Sequence, residues 1–598
     1  MALLSYPCQL VSLLIELSEL VGDGFAACGL DPALGEVVLS QRPELGQFQC
    51  NGALAGARQA LRSPADVASD VVAIISQDER LARVEIAGPG FINLSVTDSH
   101  LANVLQRIRG DDRCGADPVT EHQTVVVDYG GPNVAKAMHV GHLRATIIGD
   151  SIARMFDFVG HRVIRDPHFG DWGLQMGILI AALQEREPDL PYFDAGHQDD
   201  YPTKPPVTLD DLQQIYPDAA RRIETDDDFA ERARQATVQL QRGHPGYRAL
   251  WRHMKEVSMT SQRADFADLG VTFDLWYGES DVHDRIDPMI RRLIDAGVAT
   301  ESDGALVVRV EQVEDTRDLP PLILKTSAGG YLYSTTDLAT IDMRVQDLNS
   351  DLILYVVDAR QADHFEQVFR AARLGGIAPE GVALEHIKFG TMNGPDRKPF
   401  KTRAGGVVSL RDLITMVTEA AEERLDEAEI ARDYDSAERA EIARKVGIAA
   451  LKFGDLSNNR TSDYIFDLDR FCSFEGKTGP YLQYASVRIG SILRNAEGQG
   501  VSGGPIVAPG VDVERSLMLE ISRFSDVISR AVDLRAPNHM AEFAYELAGA
   551  FNRFYENCHI LSESDPARQA SWVSLVETTK ATLDISLFLL GIEVPDRM

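Results

Sequence analysis

The sequence predicts an α/β protein in three parts: an N-terminal α+β domain, a central domain on a parallel sheet with an insertion, and a C-terminal all-α helical bundle. Three observations carry this. Short apolar runs at residues 124–127, 162–164, 305–310, 352–357 and 385–389 alternate with helical patterns, and strands separated by crossover helices build a parallel sheet. From about residue 410 strand signals nearly vanish, while Leu517, Ile521, Phe524 and Ile528 recur at helical spacing, as on the packed face of a bundle helix. Before residue 115, helical pattern mixes with two β-like runs, 83–86 and 91–94, joined by Gly88-Pro89-Gly90, a strong turn signal.

Taken in chain order, residues 10–20 are apolar but carry Glu16 and Glu19, with no Lys or Arg before them. The pattern fits an amphipathic helix and lacks the basic segment of a secretory signal. Asp111-Asp112-Arg113-Cys114-Gly115-Ala116-Asp117-Pro118 reads as a linker, closing a first domain at residue 115 and opening a central one over 120–410. Between 185 and 228 lie Pro202-Thr203-Lys204-Pro205-Pro206 and Asp226-Asp227-Asp228, which predict an inserted surface module within an insertion over about 185–265. Residues 411–598 form the predicted bundle, with a Gly- and Pro-rich loop over 498–510.

Composition bounds the function. The chain has 598 residues, which at roughly 150 per domain is about four structural units. Hydrophobic content of 44% with 25% charge, 27 Pro and 47 Gly excludes disorder as the dominant state. Fifty-nine Lys plus Arg against 91 Asp plus Glu give a net charge of −32, which excludes indiscriminate coating of nucleic acid, so any such partner must be held by local basic patches. The six cysteines, Cys8, Cys28, Cys50, Cys114, Cys472 and Cys558, show no C-x-x-C pair, so neither zinc nor a redox dithiol is expected and a reduced cytoplasm fits best. No apolar stretch approaches the roughly 20 residues that span a bilayer, so a soluble protein without a membrane partner is expected.

The most informative stretch is Asp128-Tyr129-Gly130-Gly131-Pro132-Asn133-Val134-Ala135-Lys136-Ala137-Met138-His139-Val140-Gly141-His142. It follows the run 124–127 and precedes a helical pattern, which is where an α/β sheet binds ligands. Helix N-termini attract phosphate. Two imidazoles at i, i+3 can donate to phosphate oxygens, with Gly141 between them leaving room for a nucleotide, and Lys136 adds a cation. Taken alone, an H-x-x-H pair also fits surface histidines or half a zinc site, but no third ligand of plausible spacing follows.

Pro132-Asn133-x-Ala135-Lys136-x-x-His139-x-Gly141-His142-Leu143-Arg144 resembles the HIGH region of class I aminoacyl-tRNA synthetases, and in particular of the arginyl-tRNA synthetase family. Further stretches are similar to that family, in order. They are Ala87-Gly88-Pro89-Gly90-Phe91-Ile92-Asn93, Gly170-Asp171-Trp172-Gly173-x-Gln175-x-Gly177, Tyr277-Gly278-Glu279-Ser280, Tyr333-Ser334-Thr335-Thr336-Asp337, Val357-Asp358-Ala359-Arg360-Gln361-x-x-His364, Glu475-Gly476-Lys477-Thr478-Gly479-Pro480-Tyr481-Leu482-Gln483-Tyr484 and Leu590-Gly591-Ile592-x-Val594-Pro595-Asp596-Arg597-Met598. The resemblance runs nearly end to end.

It implies a Rossmann-type catalytic domain that activates L-arginine with ATP and esterifies the terminal adenosine of tRNA(Arg). His139, His142, Lys136 and Lys401 are the implied catalytic groups, and His139, Gly141, His142, Lys398 and Lys401 the implied ATP site. A guanidinium is a planar fork of donors that wants carboxylates and aromatic surface; Glu279, Tyr333, Asp337 and Gln361 supply these, with Asp128 and Asn133 for the ammonium and carboxylate ends. Trp172 reads as part of a packed turn beneath the site. The Lys-Met-Ser-Lys-Ser string of the class is absent; Lys401-Thr402-Arg403, followed by Gly405-Gly406, resembles the degenerate loop of arginyl enzymes, with Lys136 compensating. Gly130-Gly131 replaces a pair of serines common in the family.

The implied tRNA contacts are Asn51 in the first domain and Tyr481, Gln483, Tyr484 and Arg488 in the bundle, because unstacked bases lie on aromatic side chains. Phe551 and Phe554 read as helix core. The implied partners are ATP with Mg²⁺, arginine and tRNA, with no zinc and a monomeric chain. Acid at 226–228 and 419–429 is expected to face away from RNA, and Lys401, Arg403, Lys477, Arg488 and Arg494 toward it. Two alternatives share parts of this pattern: another HxGH nucleotidyltransferase, and a synthetase paralogue that has lost tRNA charging.

Overall fold

A computed structural model describes residues 12–327, 329–394, 396–398, 400, 408–430 and 434–598. They form two compact units, one of Thr120–Ser473 with Leu590–Glu593, the other of the described residues up to Val119 with Phe474–Leu589 and Val594–Met598.

The first unit is built on four parallel strands in the order Ala383–His386, Leu352–Val356, Thr124–Tyr129, Arg162–Asp166. Val125, Val126, Val127, Ile353 and Leu354 are fully buried, as strands covered on both faces must be. The expected run 305–310 does not join this sheet. Ala305–Val308 pairs antiparallel with Ala299–Ser302 and Leu322–Lys325 in a separate three-stranded sheet. The cause is the hairpin at Asp303-Gly304, whose φ values of 49° and 77° make a two-residue turn between antiparallel strands.

The segment from 185 to 228 is also more than a surface module. Tyr192, Val207 and Leu212 are buried with Trp172, Leu179, Leu240 and Leu250 in one core, formed as helices Leu209–Arg222, Asp227–Gln241 and Pro245–Asp268 pack beside Leu174–Arg186. The acidic triplet is a helix start: the Asp226 carboxylate accepts from Phe229 N–H, and Asp227 and Asp228 complement the positive end of the helix.

Helical structure beyond residue 410 is divided between the units. Leu410–Glu427 and Ser436–Leu456 belong with the parallel sheet, whereas Gly479–Gly498, Asp512–Ser522, Phe524–Asp533, Asn538–Asn557 and Pro566–Leu589 form the bundle. Leu517, Ile521, Phe524 and Ile528 are all buried in it, across two helices that break at Arg523. Phe551 and Phe554 are core. In the same unit the helix Leu13–Ala27 buries Leu13, Leu17, Val21 and Phe25, and a four-stranded antiparallel sheet runs Val37–Leu39, Phe48–Cys50, Phe91–Val96, Leu81–Ala87. The polar run 111–118 is not wholly a solvated linker, since Cys114 and Ala116 are buried.

The segment Leu590–Glu593 returns to the sheet-bearing unit. Lys452, 1% exposed, donates to the Gly591 carbonyl at 2.5 Å, and Glu593 pairs with Arg444 and Lys445. Among the described residues, no helix is long and apolar enough to cross a membrane.

Candidate active site

The loop that leaves the strand Thr124–Tyr129 ends at His139, the N-cap of the helix Val140–Phe158. His139 Nδ1 accepts from Gly141 N–H at 3.0 Å, and His142 Nδ1 accepts from His139 N–H at 3.1 Å. With both Nδ1 atoms acting as acceptors, the neutral rings carry their proton on Nε2. Burial, then the charge of Lys136, lowers the pKa of His139, and burial lowers that of His142 to about 3. Two neutral imidazoles, with centroids 4.1 Å apart, therefore present Nε2–H donors at a helix N-terminus.

Gly141 plays a different part from the one expected. A Cβ there would come within 2.7 Å of His139 Cε1, so the space is needed by the His139 ring. Lys136 lies 4.7 Å from the Tyr216 ring centroid. The backbone at Met138 and Val140 pairs with Leu410 and Val408, which anchors the chain just beyond the basic loop. Lys401 and Arg403 lie outside the described residues; Lys398 is exposed in a turn closed by Gly394 N–H on its carbonyl at 2.8 Å.

Asn133 and Glu279 are brought side by side by one intervening segment. Asn133 bridges Gly170, and Phe169 bridges Gly278, both parallel. Glycine is needed at both crossings: a Cβ on Gly170 would meet Asn133 Oδ1 at 2.1 Å, and one on Gly278 would meet the Asp171 carboxylate at 2.8 Å. Asp171, fully buried, accepts from Ser280 N–H at 2.9 Å and pairs with Lys255 at 2.6 Å, which fixes the turn that carries Glu279. Burial, then the charges of Asp337 and Asp171, pushes the Glu279 carboxyl up to about 8.

Glu279 lines a cavity of about 320 Å³ together with Trp172, Thr336 and Tyr333. Tyr333 opens the helix Tyr333–Gln346 and is 60% exposed, with its ring 4.7 Å from that of His364. His364 Nε2 is 2.6 Å from Asp337 Oδ2. Gln361, exposed, closes the turn Ala359–Gln361 after the strand Leu352–Val356. Trp172 is buried, its indole N–H on His283 Nδ1 at 3.0 Å, in agreement with a packed turn beneath the site.

Asp128 is a correction. It is 8% exposed and pairs at 2.7 Å with Arg344, which holds Asp166 at the same distance; burial pushes its carboxyl up against that pull. Its partner is thus a buried guanidinium of the chain. Sequence reasoning missed Arg344, Asp166 and Lys255, and gave Asp171 a place in a motif without a role. The readable signal was weak: a charged residue inside an otherwise apolar helix or strand end demands a buried partner.

The expected tRNA residues lie in the other unit. Asn51 is exposed and accepts from Gln49 at 2.7 Å. Tyr484 is exposed, Tyr481 half-buried with its hydroxyl bonded to Asn552 at 2.8 Å, and the Arg488 guanidinium stands 5.0 Å over Tyr555. Gln483 is fully buried and faces the bundle core, a second correction. Helical spacing carried that signal, since 481, 484 and 488 share one face and 483 points away from it. Lys477 is paired with Glu542. Among the described residues no group of three or more His, Cys, Asp or Glu could hold a metal.

Comparison with known proteins agrees with this arrangement along the whole chain. Residues 104–468 match the class I tRNA synthetase (R) catalytic domain, 482–598 the DALR anticodon binding domain, and 16–96 the arginyl tRNA synthetase N-terminal domain. An arginine–tRNA ligase of Maricaulis maris is 50% identical over 98% of this chain and 99% of its own, and one of Alkaliphilus oremlandii 47% identical over 98% and 100%. In fold, the chain is similar to the arginyl-tRNA synthetase of Plasmodium falciparum (TM-score 0.81, 24% identity, 98% and 99% of the two chains) and to that of Thermus thermophilus (TM-score 0.78, 23%, 98% and 100%). With three family domains matched in order and relatives of this identity along nearly its whole length, the chain belongs to the arginyl-tRNA synthetase family of class I.

Proposed function

We propose that the chain is an arginine–tRNA ligase. A carboxylate oxygen of L-arginine attacks the α-phosphorus of ATP, the bond to pyrophosphate breaks, and arginyl adenylate forms. The 2′-hydroxyl oxygen of the terminal adenosine of tRNA(Arg) then attacks the carbonyl carbon, AMP leaves, and the hydroxyl proton passes to solvent. The observation that carries this reading is the cavity lined by Glu279, Tyr333 and Thr336, where a carboxyl pushed up to about 8 by burial, then by the charges of Asp337 and Asp171, would be stabilised in its charged form by a bound cation.

In this reading Glu279, Asp337 and Gln361 take the guanidinium, Tyr333 covers it, and Asn133 holds the polar end of the amino acid. Asp128 acts from behind, through Arg344. His139 and His142 donate from Nε2 to the α-phosphate oxygens as charge develops, an effect on the order of a hundredfold per donor. Lys136, Lys398 and Lys401 supply cations for the phosphates, and Mg²⁺ enters with ATP as part of the substrate. No side-chain nucleophile is needed, because positioning and electrostatics suffice. Asn51, Tyr481, Tyr484 and Arg488 contact tRNA, with residues 1–115 and the bundle as its holding domains. The chain works as a monomer in the cytoplasm, which six scattered cysteines suit.

Arginine-dependent exchange of pyrophosphate into ATP, measured with and without tRNA, tests the reading. Exchange accompanied by stable charging is expected. No exchange with arginine under either condition refutes it, and exchange without charging identifies a paralogue confined to activation.

A further inference from the structure

The helix that begins at the histidine pair carries a buried guanidinium two residues beyond His142. Arg144 is 2% exposed and cannot touch a ligand from there. Its Nε donates to Asp455 Oδ2 at 2.9 Å, at the end of the helix Ser436–Leu456, and its Nη1 to the Ser462 carbonyl at 3.2 Å. Two rings flank it, Tyr464 at 5.1 Å and Phe389 at 5.7 Å.

Those two rings stand on the two segments that hold the turn bearing Lys398. Gly390 N–H donates to the Arg460 carbonyl at 2.9 Å, and Thr391 N–H to Asp463 at 2.6 Å. Met392–Asn393 then pairs in parallel with Tyr464–Ile465, and Gly394 N–H follows, donating to the Lys398 carbonyl at 2.8 Å. A Cβ on Gly390 would come within 2.8 Å of the Ser462 backbone, so the two segments are in close contact. One side chain thus joins the histidine helix, the helix Ser436–Leu456 and both segments at the root of the turn. The planar fork of arginine suits such a junction, since it fixes direction as well as distance.

We propose that Arg144 is a positioning residue for the activation step: anchored by Asp455, Ser462 and the Tyr464 ring, it sets the spacing between the His139–His142 pair and the turn that carries Lys398. The proposal rests on the reading of the chain as an arginine-activating enzyme. It separates the two halves of that site, because the Glu279 cavity is held by other residues, Asp171 and Lys255 among them. Disturbing the junction should slow the chemistry and leave the amino acid's binding alone.

The test is arginine-dependent pyrophosphate exchange by the full chain with tRNA present, for Asp455→Asn, Arg144→Lys and Tyr464→Leu, with a thermal melt of each. A displacement of about an ångström at reacting groups costs on the order of a hundredfold. The expected result is kcat lowered by about tenfold or more in the first two variants and by a smaller factor in the third, with KM for arginine unchanged. A folded variant with the unmodified kcat overturns the proposal, as does a KM for arginine that rises in step with the loss. Tyr464→Leu keeps both members of the ion pair while removing the ring and the hydroxyl that bonds Asp455, so it decides the matter if the charge variants do not fold. Absence of exchange in the unmodified chain overturns the functional reading as well, whereas normal exchange in all three variants overturns this proposal alone.

Discussion

A carboxyl pushed up to about 8 by burial and neighbouring charge, in the site proposed for a guanidinium, would couple binding to proton release. Below that pH Glu279 is neutral, and a guanidinium must displace its proton before the charges can meet. Arginine affinity should therefore rise with pH, by up to about tenfold per unit from pH 6 to 7.5, and level off above 8. Calorimetry in buffers of different ionisation enthalpy should register close to one proton released at pH 6.5, and Glu279→Gln should abolish the slope. A dissociation constant that stays flat from pH 6 to 8 would show that Glu279 does not meet the ligand. At this scale the sequence revealed residue types better than environments. The nearness of Glu279, Asp337 and Tyr333 was legible through their order in motifs, but nothing near Asp128 announced Arg344, 216 positions further along, and Gln483 was misread because its neighbours Tyr481 and Tyr484 face the other way.

The first turn of the helix Val140–Phe158 is held by its own histidines, so its geometry and its chemistry share the same atoms. Gly141→Ala tests that coupling. Alanine favours a helix over glycine by about 1 kcal/mol, which offsets a loss of about 0.5–2 kcal/mol from the disturbed His139 cap, so the melting temperature should change little. The added Cβ must push the His139 ring from its place 2.7 Å away, and kcat for exchange should fall by about a hundredfold, the order of one lost donor. Equal kcat in a stable variant would mean that the His139 ring is not used as placed. Among elements, the parallel strands were legible because fully buried strands are continuous apolar runs. The run at 305–310 has the same composition, and only Asp303-Gly304 marked it as one arm of a hairpin. The strands Val37–Leu39 and Phe48–Cys50, three residues each, are too short for any periodicity to register.

Across the molecule, the division of the chain does not follow the change from mixed to helical sequence. Helices Leu410–Glu427 and Ser436–Leu456 complete the unit of the parallel sheet, which no local pattern could disclose, because a helix with one apolar face packs equally well on a sheet or in a bundle. The return of Leu590–Glu593 was likewise invisible, although Gly591 itself stood out. With φ of 67° and only 2.8 Å from a would-be Cβ to both Asp150 Oδ2 and Lys452 Nζ, Gly591→Ala should destabilise by about 1–2 kcal/mol from the left-handed backbone alone. A lowered thermal midpoint for the sheet-bearing unit checks this; an unchanged one would mean the segment is not seated there. That seat also bears on how the protein is made. Neither unit is one continuous stretch: one joins the described residues up to Val119 to Phe474–Leu589 and Val594–Met598, and the other joins Thr120–Ser473 to Leu590–Glu593. Synthesis runs from the N-terminus at about 5–20 residues per second, so the buried amine of Lys452 waits for its carbonyl partner on Gly591, 139 positions further along, for about 7–28 s.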